Sequence, residues 1–76
     1  MSDVKIEGWR EGFQKVSHTG LLQEVAGMSL SQAKAATDSV LDGKSVVVSM
    51  PNEIIAKKFV ASLLAIGAIA CVVPKS

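Results

Sequence analysis

The chain has one histidine, His18, and one cysteine, Cys71. A cysteine nucleophile needs a base within hydrogen-bond reach and a third group that orients that base. Cys71 stands in an apolar stretch that predicts a strand, where a thiol is usually structural, and we expect His18 to be a partly exposed helix residue. A single cysteine cannot form a disulfide within the chain, and one cysteine with one histidine is too few for a Cys/His zinc cluster. This cysteine usage favours a reducing, cytoplasmic compartment.

The acidic and glycine residues give no pattern of a catalytic or metal site. None of the seven acids has the local spacing of a metal site or of an acid/base pair. They are Asp3, Glu7, Glu11, Glu24, Asp38, Asp42 and Glu53. Gly8, Gly12 and Gly20 do not form a phosphate-binding loop, because no glycine-rich run joins a strand to a helix. We therefore expect a protein that is not an enzyme, with no cofactor, no metal and no small-molecule substrate.

The charge balance and the hydrophobic pattern narrow the classes of partner. The net charge is +1 and there is no long Lys/Arg run, so the sequence predicts no nucleic-acid partner. Lys34, Lys44, Lys57 and Lys58 are typical of a solvated surface. Residues 59–73 carry no charge, but a spanning helix needs about 20 apolar residues. Gly67 interrupts this stretch and Pro74 follows it, so we expect no membrane anchor.

Hydrophobic periodicity predicts three strands and three helices in the order β-α-α-β-α-β. The predicted ranges are a strand at 3–7, a turn at 8–12, helices at 13–26 and 30–41, a strand at 44–50, a helix at 53–66 and a strand at 68–73. The 76 residues suffice for a single domain over residues 1–76. These elements predict a two-layer α+β fold, with a three-stranded sheet and the helices on one of its faces.

The segment GMSLSQAK at residues 27–34 predicts a tight corner between two helices. Gly27 can adopt the left-handed conformation that ends a helix. Ser29 and Gln32 have the spacing of a capping box, which would start the next helix. In that helix the Thr37 hydroxyl can bond the backbone one turn earlier. Asn52 is a predicted cap of the third helix.

Several of these residues together carry a resemblance to a known family. They are Lys15-Val16, residues 27–34, Ala56, Leu63 and Gly67-Ala68. Over nearly the whole chain they resemble the C-terminal domain of the bacterial large-subunit ribosomal stalk protein. The adaptor of the Clp protease shares that fold, and Gly27-Met28-Ser29 and Gly43-Lys44 also resemble it. The resemblance implies a non-enzymatic protein–protein interaction module related to translation, with an adaptor for a Clp-type protease as the alternative.

In the stalk family the first helix and the corner meet translation factors. The residues that match that surface are Lys15, Val16, Gly27, Leu30, Ala33 and Lys34. Gln23 stands where the family has Arg, and Ser29 lies in the corner. Thr19-Gly20 replaces an Ile-Lys pair, and Ser31-Gln32 replaces Lys-Glu. The resemblance thus implies a protein-binding surface that is less charged than in the family. Its predicted residues are Lys15, Val16, Gln23, Ser29 and Lys34.

The third helix is more apolar than the family pattern. Val60 and Leu64 stand at positions that are usually charged in the family, as do Ile69 and Cys71 in the last strand. Apolar residues at such positions predict a surface that something covers. The occupant would be a protein partner or a second copy of the chain in a homodimer, against the third helix or the open sheet face. The alternative is a tighter intramolecular core.

Overall fold

The protein is described here by a computed structural model that covers residues 2–74. The predicted order of elements is confirmed. The elements are β1 (Ser2–Trp9), α1 (Lys15–Glu24), α2 (Leu30–Leu41), β2 (Val46–Met50), α3 (Glu53–Ala65) and β3 (Ala68–Pro74).

The three strands form an antiparallel sheet in the order β2-β1-β3. Val4 of the central strand lies opposite Val48 on one side and Val72 on the other. The register between β1 and β3 shifts between Ile6 and Gly8. This irregularity lets β1 continue to Trp9, so the turn predicted at 8–12 is wrong for its first two residues.

The core lies between one face of the sheet and the three helices. Val4, Ile6 and Met50 are buried on the inner face, where they pack with Phe59 and Leu63 of α3. Alternate strand residues point to the other side, which no helix covers. We call this other side the open sheet face; its residues are Asp3, Lys5, Val47, Ser49, Ile69, Cys71 and Val73. The prediction of helices on one face of a three-stranded sheet is therefore confirmed.

The corner between α1 and α2 follows the sequence closely. The Ser29 Oγ accepts from the Gln32 backbone N–H at 3.2 Å, and the Ser29 N–H donates to the Gln32 Oε1 at 3.1 Å. This is the predicted capping box, and it fixes the start of α2 at Leu30. Gly27 has a φ of +69°, as a left-handed helix end requires. The predicted cap at Asn52 is also present, since its Oδ1 accepts from Ile55 N–H at 2.9 Å.

The first helix is shorter than the predicted range of 13–26. The Phe13 N–H donates to the Arg10 carbonyl at 3.1 Å in a turn, and the Gln14 N–H donates to the Ile66 carbonyl at 2.9 Å. These residues are thus tied to a turn and to the end of α3 rather than to a helix of their own. The helix runs without interruption through Gly20, as predicted. The ranges predicted for β2 and α3 are each one or two residues too long at one end.

Gly67, in the corner between α3 and β3, contacts the loop between β1 and α1. Its φ is +90°, and a Cβ at this position would lie 2.8 Å from the Cα of Phe13. The Gly67 carbonyl accepts from the Arg10 N–H at 2.9 Å. The left-handed conformation and the close approach of backbone both require glycine here.

Among residues 2–74, no helix combines the length and the hydropathy that crossing a bilayer demands.

Candidate functional site

A groove of about 420 Å³ separates α1 from α2 on the surface of the helical layer. We call it the α1–α2 groove. One stripe of each helix lines it: Lys15, Val16, Thr19, Gly20 and Gln23 from α1, and Leu30, Lys34 and Asp38 from α2. The α1 residues form two adjacent rows with a spacing of four, and those of α2 form one such row, so each set lies on one helical face.

Most residues of the predicted binding surface meet in this groove. Lys15, Val16, Gln23 and Lys34 all line it. Ser29 lies beside it, one residue before Leu30, and its hydroxyl is engaged in the capping box. The structure thus brings these positions together in space, and whether they bind a partner remains a prediction.

The groove carries two exposed apolar side chains. Val16 is 86% exposed and Leu30 is 51% exposed, although both are large hydrophobic residues. Gly20 lies among them, and a Cβ added there would meet no atom within 4 Å. The absence of a side chain at Gly20 therefore leaves open space beside the α1 backbone, where the groove meets a second pocket between α1 and α3.

Charged side chains line the same groove. The Lys15 Nζ lies 3.5 Å from the Asp38 Oδ1, which links α1 to α2. Both side chains are 61% exposed, so this ion pair contributes at most about 1 kcal/mol to stability. Lys34 has no carboxylate partner within ion-pair distance in the described part of the chain. The groove therefore presents apolar surface with a small excess of positive charge.

A buried polar cluster of His18, Thr19 and Thr37 fixes the two helices below the groove. The Thr37 Oγ1 lies 2.8 Å from the His18 Nδ1 and 3.0 Å from the Thr19 Oγ1. Both threonines also bond the backbone one turn earlier, Thr37 to the Ala33 carbonyl at 2.9 Å and Thr19 to the Lys15 carbonyl at 3.1 Å. The predicted backbone bond of Thr37 is thus confirmed, and its hydroxyl is shared between both helices.

The expectation that His18 is partly exposed is wrong, because its side chain is fully buried. The Phe13 ring packs on it with a centroid distance of 5.1 Å. We assign the Thr37 hydroxyl proton to the Ala33 carbonyl. With that assignment the hydroxyl accepts from Nδ1, and Nδ1 is the protonated nitrogen of the ring. Nε2 is buried and has no partner among the described residues. Burial lowers the pKa of His18 from its ordinary value of 6.5, so the ring is neutral at pH 7.

Val60 and Leu64 lie apart from the groove, on α3. Val60 is partly buried and packs against the core, whereas Leu64 is 40% exposed. The packing of Val60 fits the tighter intramolecular core, and the covered surface stays a prediction for Leu64. The two residues do not form a common site with Lys15 and Lys34.

His18 and Cys71 do not form a catalytic pair. Cys71 is exposed on the open sheet face, opposite Lys5, while His18 lies within the helical layer. The sheet separates the two side chains. Over residues 2–74, no three His, Cys, Asp or Glu side chains are grouped closely enough to share a metal ion.

Four groove residues were not among the residues predicted to bind a partner: Thr19, Gly20, Leu30 and Asp38, although Leu30 matches the surface pattern of the stalk family. A periodic signal for them exists in the sequence. Leu30, Lys34 and Asp38 are each separated by four positions, and Gly20 follows Val16 by four. What the sequence does not show is that these two stripes face each other, because that depends on how α1 and α2 cross.

A comparison of the chain with models of known protein families gives no match, and a comparison with curated protein sequences gives none either.

Proposed function

We propose that this protein is a non-enzymatic protein-interaction module that binds a segment of a partner protein in the α1–α2 groove. The observation that carries this proposal is the pair of exposed apolar residues, Val16 and Leu30, in a groove bordered by charged side chains. Apolar surface of this kind inside a polar rim is typical of protein-binding sites.

The composition of the groove favours a particular kind of segment. An apolar side chain would fill the space above Gly20 and contact Val16 and Leu30. A carboxylate of the partner would lie near Lys34, whose charge no described carboxylate balances. We therefore propose an amphipathic, acidic segment as the occupant.

The resemblance to the ribosomal stalk domain supports a role in translation, since the matching residues Lys15, Val16 and Lys34 lie in the groove. The partner would then be a translation factor. The alternative is an adaptor for a Clp-type protease, which the shared corner residues around Gly27 favour. Both roles are cytoplasmic, and both use the chain as a binding domain without chemistry of its own.

Purified translation factors and a purified Clp ATPase, each titrated against the labelled chain, distinguish the two roles. A matched pair of variants tests the surface: Val16→Asp places a charge in the groove, and Val47→Asp places the same charge on the open sheet face. Val47 is 59% exposed, so both substitutions fall at solvent-accessible valines. We expect Val16→Asp to weaken binding of the correct partner at least tenfold, because an apolar contact at the centre of an interface is lost.

We expect Val47→Asp to bind as the parent chain does. Equal weakening by both variants would show that the groove is not the binding surface. Binding of neither purified class would contradict both assigned roles.

A further inference from the structure

One side of the molecule combines an unpaired strand edge with apolar helix surface. β3 is an outer strand of the sheet, and its backbone hydrogen bonds within the described residues run to β1. In an antiparallel edge strand, alternate residues direct their N–H and C=O groups away from the sheet. Natural proteins usually protect such edges with charges or proline; β3 carries no charge, and its one proline, Pro74, is its last residue.

The apolar residues of α3 lie above this edge. The stripe formed by Phe59 and Leu63 faces the sheet, and Ser62 lines a groove against α1 on one flank of the helix. At about 100° per residue, Val60 and Leu64 fall on the opposite flank. α1 also packs against α2, which lies over β1 and β2, so the α1 flank of α3 faces the β2 side of the sheet. The flank with Val60 and Leu64 then faces the β3 edge.

A two-fold axis perpendicular to the sheet at this edge would pair the strands and the helices of two copies at the same time. Such an axis pairs β3 with its own image in antiparallel orientation, with a strand separation of about 4.8 Å. A helix lying over β3 and β1 is then about one strand spacing from the axis. Its image lies about 9–10 Å away, which is within the usual range for packed helices.

We infer that two copies of this chain form a dimer through the β3 edges, with α3 packed against its image through Val60 and Leu64. A single foreign strand would satisfy the β3 backbone but would leave Leu64 exposed. A partner with the same two layers covers both features, and this chain is such a partner. A standard interface covers about 800 Å² of each partner, about a fifth of the 4479 Å² accessible surface here, which one strand edge alone does not supply.

Light scattering and sedimentation on the full chain test the dimer, with two glutamate variants on the same helix. Leu64→Glu places like charges opposite each other across the axis, and we expect it to raise the dimer dissociation constant at least tenfold. Ile54→Glu is the control, because Ile54 is 69% exposed and points away from the sheet. We expect it to change the dissociation constant less than twofold.

A thiol cross-link at Cys71 can locate the interface between the two copies. Cys71 is the middle residue of β3 and the only cysteine, so a short thiol-specific cross-linker should join two parent chains. We expect Leu64→Glu to abolish this cross-link and Ile54→Glu to retain it. Leu64 lies on the helical side of the sheet and Cys71 on the open face. Only an interface along the β3 edge brings both of these residues close to their images in the second copy. A parent chain that is monomeric at its highest attainable concentration would overturn the inference. Equal effects of the two variants, or a dimer that does not cross-link, would overturn it as well.

Discussion

His18 is a neutral histidine inside a polar cluster that joins two helices. In the tautomer assigned above its Nδ1–H donates to the Thr37 hydroxyl, and Nε2 has no partner in the described part of the chain. A proton on Nε2 would place a charge in a fully buried position without a counter-charge or a hydrogen-bond acceptor. The lowered pKa of His18 expresses this cost, and it makes the packing of α1 on α2 sensitive to pH.

The free energy of unfolding should therefore fall as the pH drops below about 6.5. In that range the unfolded chain takes up a proton that the folded chain does not, so acidification favours unfolding. The slope is at most about 1.4 kcal/mol per pH unit, and it ends below the lowered pKa of the folded state. Urea titrations between pH 5.5 and 7.5 measure it.

His18→Asn is the control for this pH dependence, because the chain has no other histidine. Its amide can still donate to Thr37, but it does not titrate. We expect a flat profile between pH 5.5 and 7.5 in this variant, and an unchanged slope would show that another group is responsible.

At the scale of elements, the contact between the β1–α1 loop and the α3–β3 corner depends on backbone rather than on side chains. Two hydrogen bonds join them, from Arg10 N–H to the Gly67 carbonyl and from Gln14 N–H to the Ile66 carbonyl, both 2.9 Å long. Phe13 lies directly against Gly67. This contact holds the start of α1 next to the end of α3 and so sets the position of the helix that lines the groove.

Gly67→Ala should lower the free energy of unfolding by more than about 2 kcal/mol. It combines the left-handed strain of about 1–2 kcal/mol with a clash against the Phe13 backbone. Gly43→Ala is the matched control, because Gly43 has a φ of +84° but open space around it. We expect it to lose only the strain, and equal losses in the two variants, measured by chemical denaturation, would contradict the proposed clash.

The elements show which parts of this structure the sequence predicts. The corner at Ser29 and Gln32 is readable because a capping box is formed by neighbours in the chain. The burial of His18 is not readable, because its partner Thr37 belongs to another helix. The extension of β1 to Trp9 depends on a shift of register against β3, which no local pattern encodes. The resemblance predicted four of the groove residues. That the α1 and α2 residues line the same groove could be seen only in the tertiary structure.

At the scale of the whole molecule, the two proposed surfaces lie on different parts of the fold. The groove is formed by α1 and α2, whereas the inferred dimer uses α3 and β3. Dimerisation would therefore leave both grooves accessible and give a bivalent particle. Two grooves held at a fixed distance would bind a partner with two suitable segments more tightly than one groove does.

Gly20→Ala tests the central claim, that the α1–α2 groove is the binding site, because it affects folding and binding in opposite directions. An alanine in the middle of α1 meets no atom within 4 Å and should raise the free energy of unfolding by about 0.5–1 kcal/mol. Its methyl group would lie in the open space beside the α1 backbone that the proposed partner side chain fills. Calorimetric titration with the partner segment should show weaker binding, by about fivefold or more, in a variant that urea denaturation shows to be more stable. Unchanged affinity in that stabilised variant would contradict the assignment of the groove as the binding site.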